Sequence, residues 1–150
     1  MTPTEVQKST IEALRADGTL AAAKCGVSAM DDGNFQAALE KAMGLGGSGL
    51  HAVVSAPTFA PESSAAKNAV GTLRIKVAVT EVPAINRKRP DALTAADAAW
   101  HIAWLLNQSF PAGNPGPLLV LDGEISAAAS AEGDVVTYSI PFECTHQLKG

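Results

Sequence analysis

Thr72 to Val82 reads TLRIKVAVTEV and alternates with period two along its whole length. Leu73, Ile75, Val77 and Val79 fall on one side; Arg74, Lys76, Ala78 and Thr80 fall on the other. Successive side chains of a strand point to opposite faces, so the pattern describes a strand in a sheet with one buried and one wetter face. Pro83 ends it, because proline cannot donate to a ladder. The next element has a different period. Beyond the basic stretch NRKRP (86–90), a helix is expected from about Thr94 to Asn107. Thr94 is its cap, and Asp97, three residues on, suits the positive end of the helix dipole. Ala99, Ile102, Leu105 and Leu106 make one apolar stripe, and Trp100, Ala103, Trp104 and Asn107 a second. A helix apolar nearly all round is covered on more than one side. A sheet would cover one side, and the N-terminal helices or a neighbouring subunit the other.

Working outward from that pair, the chain opens with Thr2, Pro3 and Glu5 in capping-box order, which predicts a helix to about Ala16 with Val6, Thr10, Ala13 and Leu14 inward. Asp17-Gly18 stops it. Residues 18–33 are small and glycine-punctuated, and their pattern assigns no element. NFQAALEKAM follows, with Phe35, Ala38, Leu39, Ala42 and Met43 at helical spacing. Asp32 or Asn34 is its candidate cap, and Gly44 its candidate left-handed terminator. His51 to Ala56 reads as a strand broken by Pro57, and 60–68 as a polar loop or hairpin tip. Downstream, FPAGNPGP is a loop, LLVLD a short strand, Asp122-Gly123 a turn, and ISAAASAEGD a weak strand running to a tip at Glu132-Gly133-Asp134. VVTYSIPFECTH places Val136, Tyr138, Ile140, Phe142 and Cys144 on one face. The class implied is α+β: a mostly antiparallel sheet packed against a central helix, with an N-terminal helical part over about 2–44, in a single domain spanning 1–150.

Composition narrows the classes. Hydrophobic content of 47% with 17% charged residues describes a globular chain. Aromatics are only 5%, so small and aliphatic side chains must fill the core. A net charge of −4 argues against a general nucleic-acid binder. No apolar run reaches the ~18 residues of a membrane span, and the start lacks a secretory pattern. Cys25 and Cys144 are therefore read as reduced and packed rather than bridged.

The glycine run Gly44 to Gly49, GLGGSG, matches G-x-G-x-x-G by letter. A dinucleotide site needs a strand before those glycines and a helix after them. Here the order is helix then strand, so the run reads as a plain connection. Cys144 and His146 share a strand face, but a structural zinc site needs four ligands and no second pair is evident. His101 falls on neither stripe of its helix and reads as a solvated or interface histidine; His51 begins a strand. Asp122 and Glu124 flank a turn, where acidic residues serve the turn itself. Ser48, Ser55 and Ser126 lack a nucleophile-elbow setting. No catalytic, cofactor or metal constellation is assembled, so the chain is not expected to be an enzyme. Arg87, Lys88 and Arg89 hold three of the eleven cations and read as a solvated loop, a protein interface or, last, a phosphate contact.

One segment carries a resemblance. A strand ending in V-x-E-x-P, then I-N-R, a basic turn, and T-A-x-D-A-A opening a helix (72–107) resembles the tail-completion, tail-terminator-like proteins of long-tailed, Mu-like bacteriophages. VVTYSIPFECTHQL is similar to that group's closing strand, and element order extends the likeness over about 35–148. The resemblance implies a structural virion protein, assembled in the bacterial host cytoplasm. Such a protein forms a homo-oligomeric ring, typically a hexamer, that caps the tail tube and ends its polymerisation. Its implied partners are itself, the tail tube protein, and a neck or head-completion protein, with DNA passing through ungripped. The expected interface residues are Asn86, Arg87, Lys88, Arg89, Trp100 and Trp104. A head–tail connector or other tail component is the nearest alternative; a small ligand-binding domain or enzyme is the more distant one.

Overall fold

The computed structural model describes residues 2–61, 70–113 and 116–147. In chain order the elements are α1 (Pro3–Ala16), α2 (Gly18–Ala22), β1 (Gly26–Ala29), α3 (Phe35–Met43), β2 (Leu50–Val54) and β3 (Thr58–Pro61). They continue with β4 (Val70–Glu81), α4 (Pro83–Asn86), α5 (Ala95–Leu106), β5 (Val120–Leu121), β6 (Ser126–Ala129) and β7 (Val136–Gln147). The fold is α+β.

β4 and β7 form the spine of the sheet. They pair antiparallel in one register from Val70↔Gln147 to Glu81↔Val136. β2 then β3 occupy the other edge of β4, and β5 and β6 the other edge of β7. β1 adds to β2 in the single parallel pairing among the described strands. The alternation read from TLRIKVAVTEV holds: Leu73, Ile75, Val77 and Val79 are buried while Arg74 and Lys76 are exposed. Ile140, Phe142 and Cys144 of β7 are buried on the same side, with Val136 and Tyr138 packed at its margin. Each such side chain contributes roughly 1.5–3 kcal/mol when fully withdrawn from water.

Helices α1, α2 and α5 close this face. Val6, Ile11 and Leu14 of α1, Leu20 of α2, and Ala98, Ile102 and Leu106 of α5 join one cluster with the strand residues. The Thr2–Glu5 capping box forms as expected. α1 is rotated relative to the expected face: Gln7 and Ile11 are buried with Val6, Thr10 and Leu14, whereas Ala13 is only partly so. Gln7 tolerates burial because its amide donates to Asp31 and to the Ser55 carbonyl.

α3 gives no residue to that cluster but lies against β1 and β2. This places it on the opposite face. Its apolar side is half-buried and none of it fully so. On β2, Leu50, Ala52 and Val54 enter the main core, so His51 and Val53 point to the α3 side; all five are buried.

Two stretches that the pattern does not assign hold elements: α2 and β1 lie within 18–33, and α4 starts at Pro83. Two local expectations are corrected. Gly44 terminates α3 in extended rather than left-handed backbone (φ −89°), and Gly46 (φ +85°) and Gly49 (φ +76°) supply the left-handed positions. Asn34 is the residue before α3, but its side chain makes no capping bond. The expected hairpin tip at 60–68 lies largely outside the described residues.

Candidate functional site

The motif that carried the resemblance is, in space, an internal clip built on Glu81. This last residue of β4 is fully buried. One carboxylate oxygen, Oε2, accepts from Asn86 Nδ2 at 2.7 Å and from Arg87 Nε at 3.2 Å. The other, Oε1, accepts from Arg87 at 3.2 Å and from the Ala95 backbone N–H at 3.1 Å. Glu81 thus joins the strand end, the α4 turn and the N-terminus of α5, where the helix dipole also favours a negative charge. Burial alone would raise its pKa. The hydrogen bonds from Arg87, Asn86 and the Ala95 N–H, with the Arg87 charge, outweigh burial and hold it below the ordinary carboxylate value.

Asn86 is fully buried as well, and its amide also donates to the Leu93 carbonyl at 2.6 Å. Its Oδ1 accepts from Arg89 at 2.6 Å, and the same Arg89 nitrogen donates to the Ala23 carbonyl at 2.7 Å. Of the expected interface residues, then, Asn86, Arg87 and Arg89 are engaged within the chain. Lys88 is exposed and makes no ion pair among the described residues. The signal available in sequence was a glutamate on the buried-to-exposed boundary of a strand, followed within six residues by Asn and Arg.

Trp100 and Trp104 stand one turn apart on the outer side of α5, 76% and 72% exposed. Ala103, assigned by spacing to their stripe, turns inward and is buried. His101 corrects its expected reading: its Nε2 lies 2.7 Å from Asp17 Oδ2, and the ring tilts against Trp104 at 5.8 Å between centroids. Asp17 also caps α2 through the Leu20 N–H, so the pair joins the α1–α2 junction to α5.

The remaining chemistry-bearing residues are packed. His51 Nε2 lies 2.7 Å from Ser28 Oγ, while its Nδ1 is buried without a hydrogen-bond partner. Burial, and then the nearby Arg15 charge, lower its pKa. A serine–histidine pair sealed in this way offers no approach to a substrate. Burial pushes the Cys25 thiol up to about 12 and the Cys144 thiol, beside Glu143, up to about 11, so neither is a thiolate at neutral pH. The His146 side chain lies outside the described residues. Among the described residues no three His, Cys, Asp or Glu side chains gather to hold a metal. No helix among the described residues is long and apolar enough to cross a membrane. GLGGSG connects α3 to β2, and no helix N-terminus follows it.

A cavity of about 430 Å³ opens on the sheet between Met30, Ala56, Thr58, Lys76 and Pro141. Ile75 and Phe142 also line it but are nearly inaccessible, so its mouth is on the side of its exposed residues, Arg74 and Lys76. Lys76 pairs with Pro141 and Arg74 with Glu143, on the face opposite Ile75, Phe142 and α5. Arg74 is held at the rim by Asp122 (3.4 Å) and Glu143 (3.8 Å).

No family model matches the chain, and no curated protein matches it. Among solved structures it is similar to a chain of the virion of a native gene transfer agent particle. The likeness covers 95% of both chains at a TM-score of 0.67 and 16% identity. At that identity the likeness is one of fold.

Proposed function

We propose that this chain is a structural virion protein of the tail-terminator kind. In this reading it forms a ring, typically six-fold, on the end of a tail tube, stops tube growth, and presents the surface to which a neck or head docks. The observation that carries the reading is the end-to-end fold likeness to a virion chain. The resemblance of 72–107 to tail-completion proteins supplies the finer assignment within that class. Two features support a scaffold over a catalyst. The polar residues of the sequence motif are spent on an internal clip, and two tryptophans are held at the surface where a neighbour is needed to cover them. A net charge of −4 suits a channel that lets DNA pass without gripping it.

The test is to add the purified protein to polymerising tail tubes and image them by electron microscopy. Density on one tube end, with growth arrested, is the expected result. Tubes that keep growing with bare ends would overturn the assignment, and binding to head portals instead would move it to the connector alternative.

A further inference from the structure

We propose that the Trp100/Trp104 ridge of one copy seats in the cavity on the opposite sheet face of a second copy, forming a head-to-tail contact. The inference rests on the reading that the chain assembles with itself.

Knob and hole are both on this chain. The ridge projects from α5, and the cavity opens on the other side of the sheet that α5 covers. A patch and its complement on different faces make a heterologous contact, which closes into rings or runs into filaments; a two-fold dimer would instead need one self-complementary patch. The size is suitable, since a cavity of about 430 Å³ lies within the ~300–1,000 Å³ of pockets that enclose a small ligand. An indole also gains from a cation at the rim, here Lys76, through the negative face of its ring.

Charge fixes the occupant further. Along α5, Asp97, Trp100 and Trp104 follow at i, i+3 and i+7 and share one exposed stripe, so the ridge carries a carboxylate. At the cavity Arg74 is shared by the carboxylates of Asp122 and Glu143, which offset it, and Lys76 is exposed and without an ion pair among the described residues. Asp97 of one copy and Lys76 of the next are therefore complementary, and the indoles lie on the same stripe as Asp97.

The experiment uses two variants altered at exposed positions. Trp100→Ala/Trp104→Ala removes the ridge and keeps the cavity. Ala56→Trp fills the cavity and keeps the ridge. Circular dichroism and thermal melts first establish that both fold like the parent. Sedimentation velocity then reads association. The parent is expected to assemble with concentration, and each variant alone to associate about thirtyfold more weakly or worse, as for loss of an interface hot spot. An equimolar mixture of the two is expected to form 1:1 heterodimers, because one intact ridge and one intact cavity remain. A parent that stays monomeric, a ridge variant that assembles like the parent, or a mixture that stays silent would each overturn the contact. A parent that caps tubes while monomeric would sink this contact and leave the terminator reading standing. A parent that assembles through the ridge but leaves tubes uncapped would do the reverse.

Discussion

Arg89 donates a hydrogen bond to the backbone carbonyl of Ala23, 66 residues earlier in the chain, at 2.7 Å. The contact ties the loop after α4 to the end of α2. It divides a stretch of charge that looks uniform in sequence. Arg87 and Arg89 bond back into the chain, to Glu81 and Ala23, although Arg87 is itself exposed, whereas Lys88 is exposed and makes no ion pair among the described residues. Charge reversal across the whole stretch would therefore attack the fold before it reached any interface.

The three cations should separate experimentally. Arg87→Glu sets a second carboxylate against Glu81, and Arg89→Glu sets one against the Ala23 carbonyl and Asn86 Oδ1. Both should lower the melting temperature by several degrees. Lys88→Glu should stay within ~0.5 kcal/mol of the parent, as exposed substitutions usually do. Assembly assays on Lys88→Glu then report on a partner surface without a folding effect. Equal melting temperatures for all three would mean that the clip is not holding the loop.

Glu81 is the centre of that clip. Glu81→Ala leaves the Ala95 N–H and one Asn86 proton without their acceptor, at a cost of roughly 2–4 kcal/mol. Urea denaturation measures it directly. The pH dependence follows from the depressed folded-state pKa. The contribution of Glu81 is fully present above the unfolded value, about 4.5, and is lost as pH falls below that through the folded value. The parent should lose stability in that acid window, and Glu81→Gln should flatten part of the slope.

The clip also marks where sequence reading stops. TLRIKVAVTEV was legible because one face of β4 is buried and one is not, so burial imposes period two on the residues. The α1 capping box and the helix-to-strand order around GLGGSG were legible because they are local. β1 was not, because four residues, GVSA, in a parallel pairing at the sheet edge carry no period. α2 is five residues and too short to show a stripe. The destination of Glu81 depends on a turn that brings residues 86, 87 and 95 together. Its sequence neighbourhood offers only a hint: period two puts it on the buried face with Leu73, Ile75, Val77 and Val79, and Asn86 and Arg87 follow within six residues, but the pattern does not name them as its partners. Ala103 shows the same limit, because spacing groups it with the tryptophans and only the packing of α5 on β4 and β7 turns it inward.

His51 gives a second acid-sensitive element at higher pH. Its folded pKa is lowered, so below the ordinary value of 6.5 the unfolded chain takes up a proton that the folded chain refuses. Stability should be complete above that pH and fall as pH drops from 6.5 toward the folded value. His51→Phe removes the proton uptake, and its stability should vary less between pH 7 and pH 5.5 than that of the parent, by chemical denaturation at each pH. An identical slope in both would place the sensitivity elsewhere. Gly26 is the structural partner in this pocket, since a Cβ there would collide with the His51 ring. Gly26→Ala should therefore destabilise by about 1–3 kcal/mol through overpacking.

The glycines of GLGGSG allow the last discrimination. Gly49 has φ +76°, and a Cβ on it would meet Asn86 N at 2.8 Å, Ile85 Cβ at 3.0 Å and the Val82 carbonyl oxygen at 3.0 Å. Its carbonyl accepts from the Val82 N–H, so the glycine is the point where the α3–β2 connection presses on the α4 turn and the Glu81 clip. Gly46 has φ +85° with nothing within 4 Å of such a Cβ. Gly46→Ala should cost only the conformational term of about 1–2 kcal/mol. Gly49→Ala adds a collision with backbone that cannot move without displacing Asn86, and should cost clearly more. Thermal melts of the two variants, side by side, check the order. A nucleotide cradle would make both glycines matter to ligand affinity. A junction makes them unequal in stability, and the larger loss should fall on the one that touches the clip.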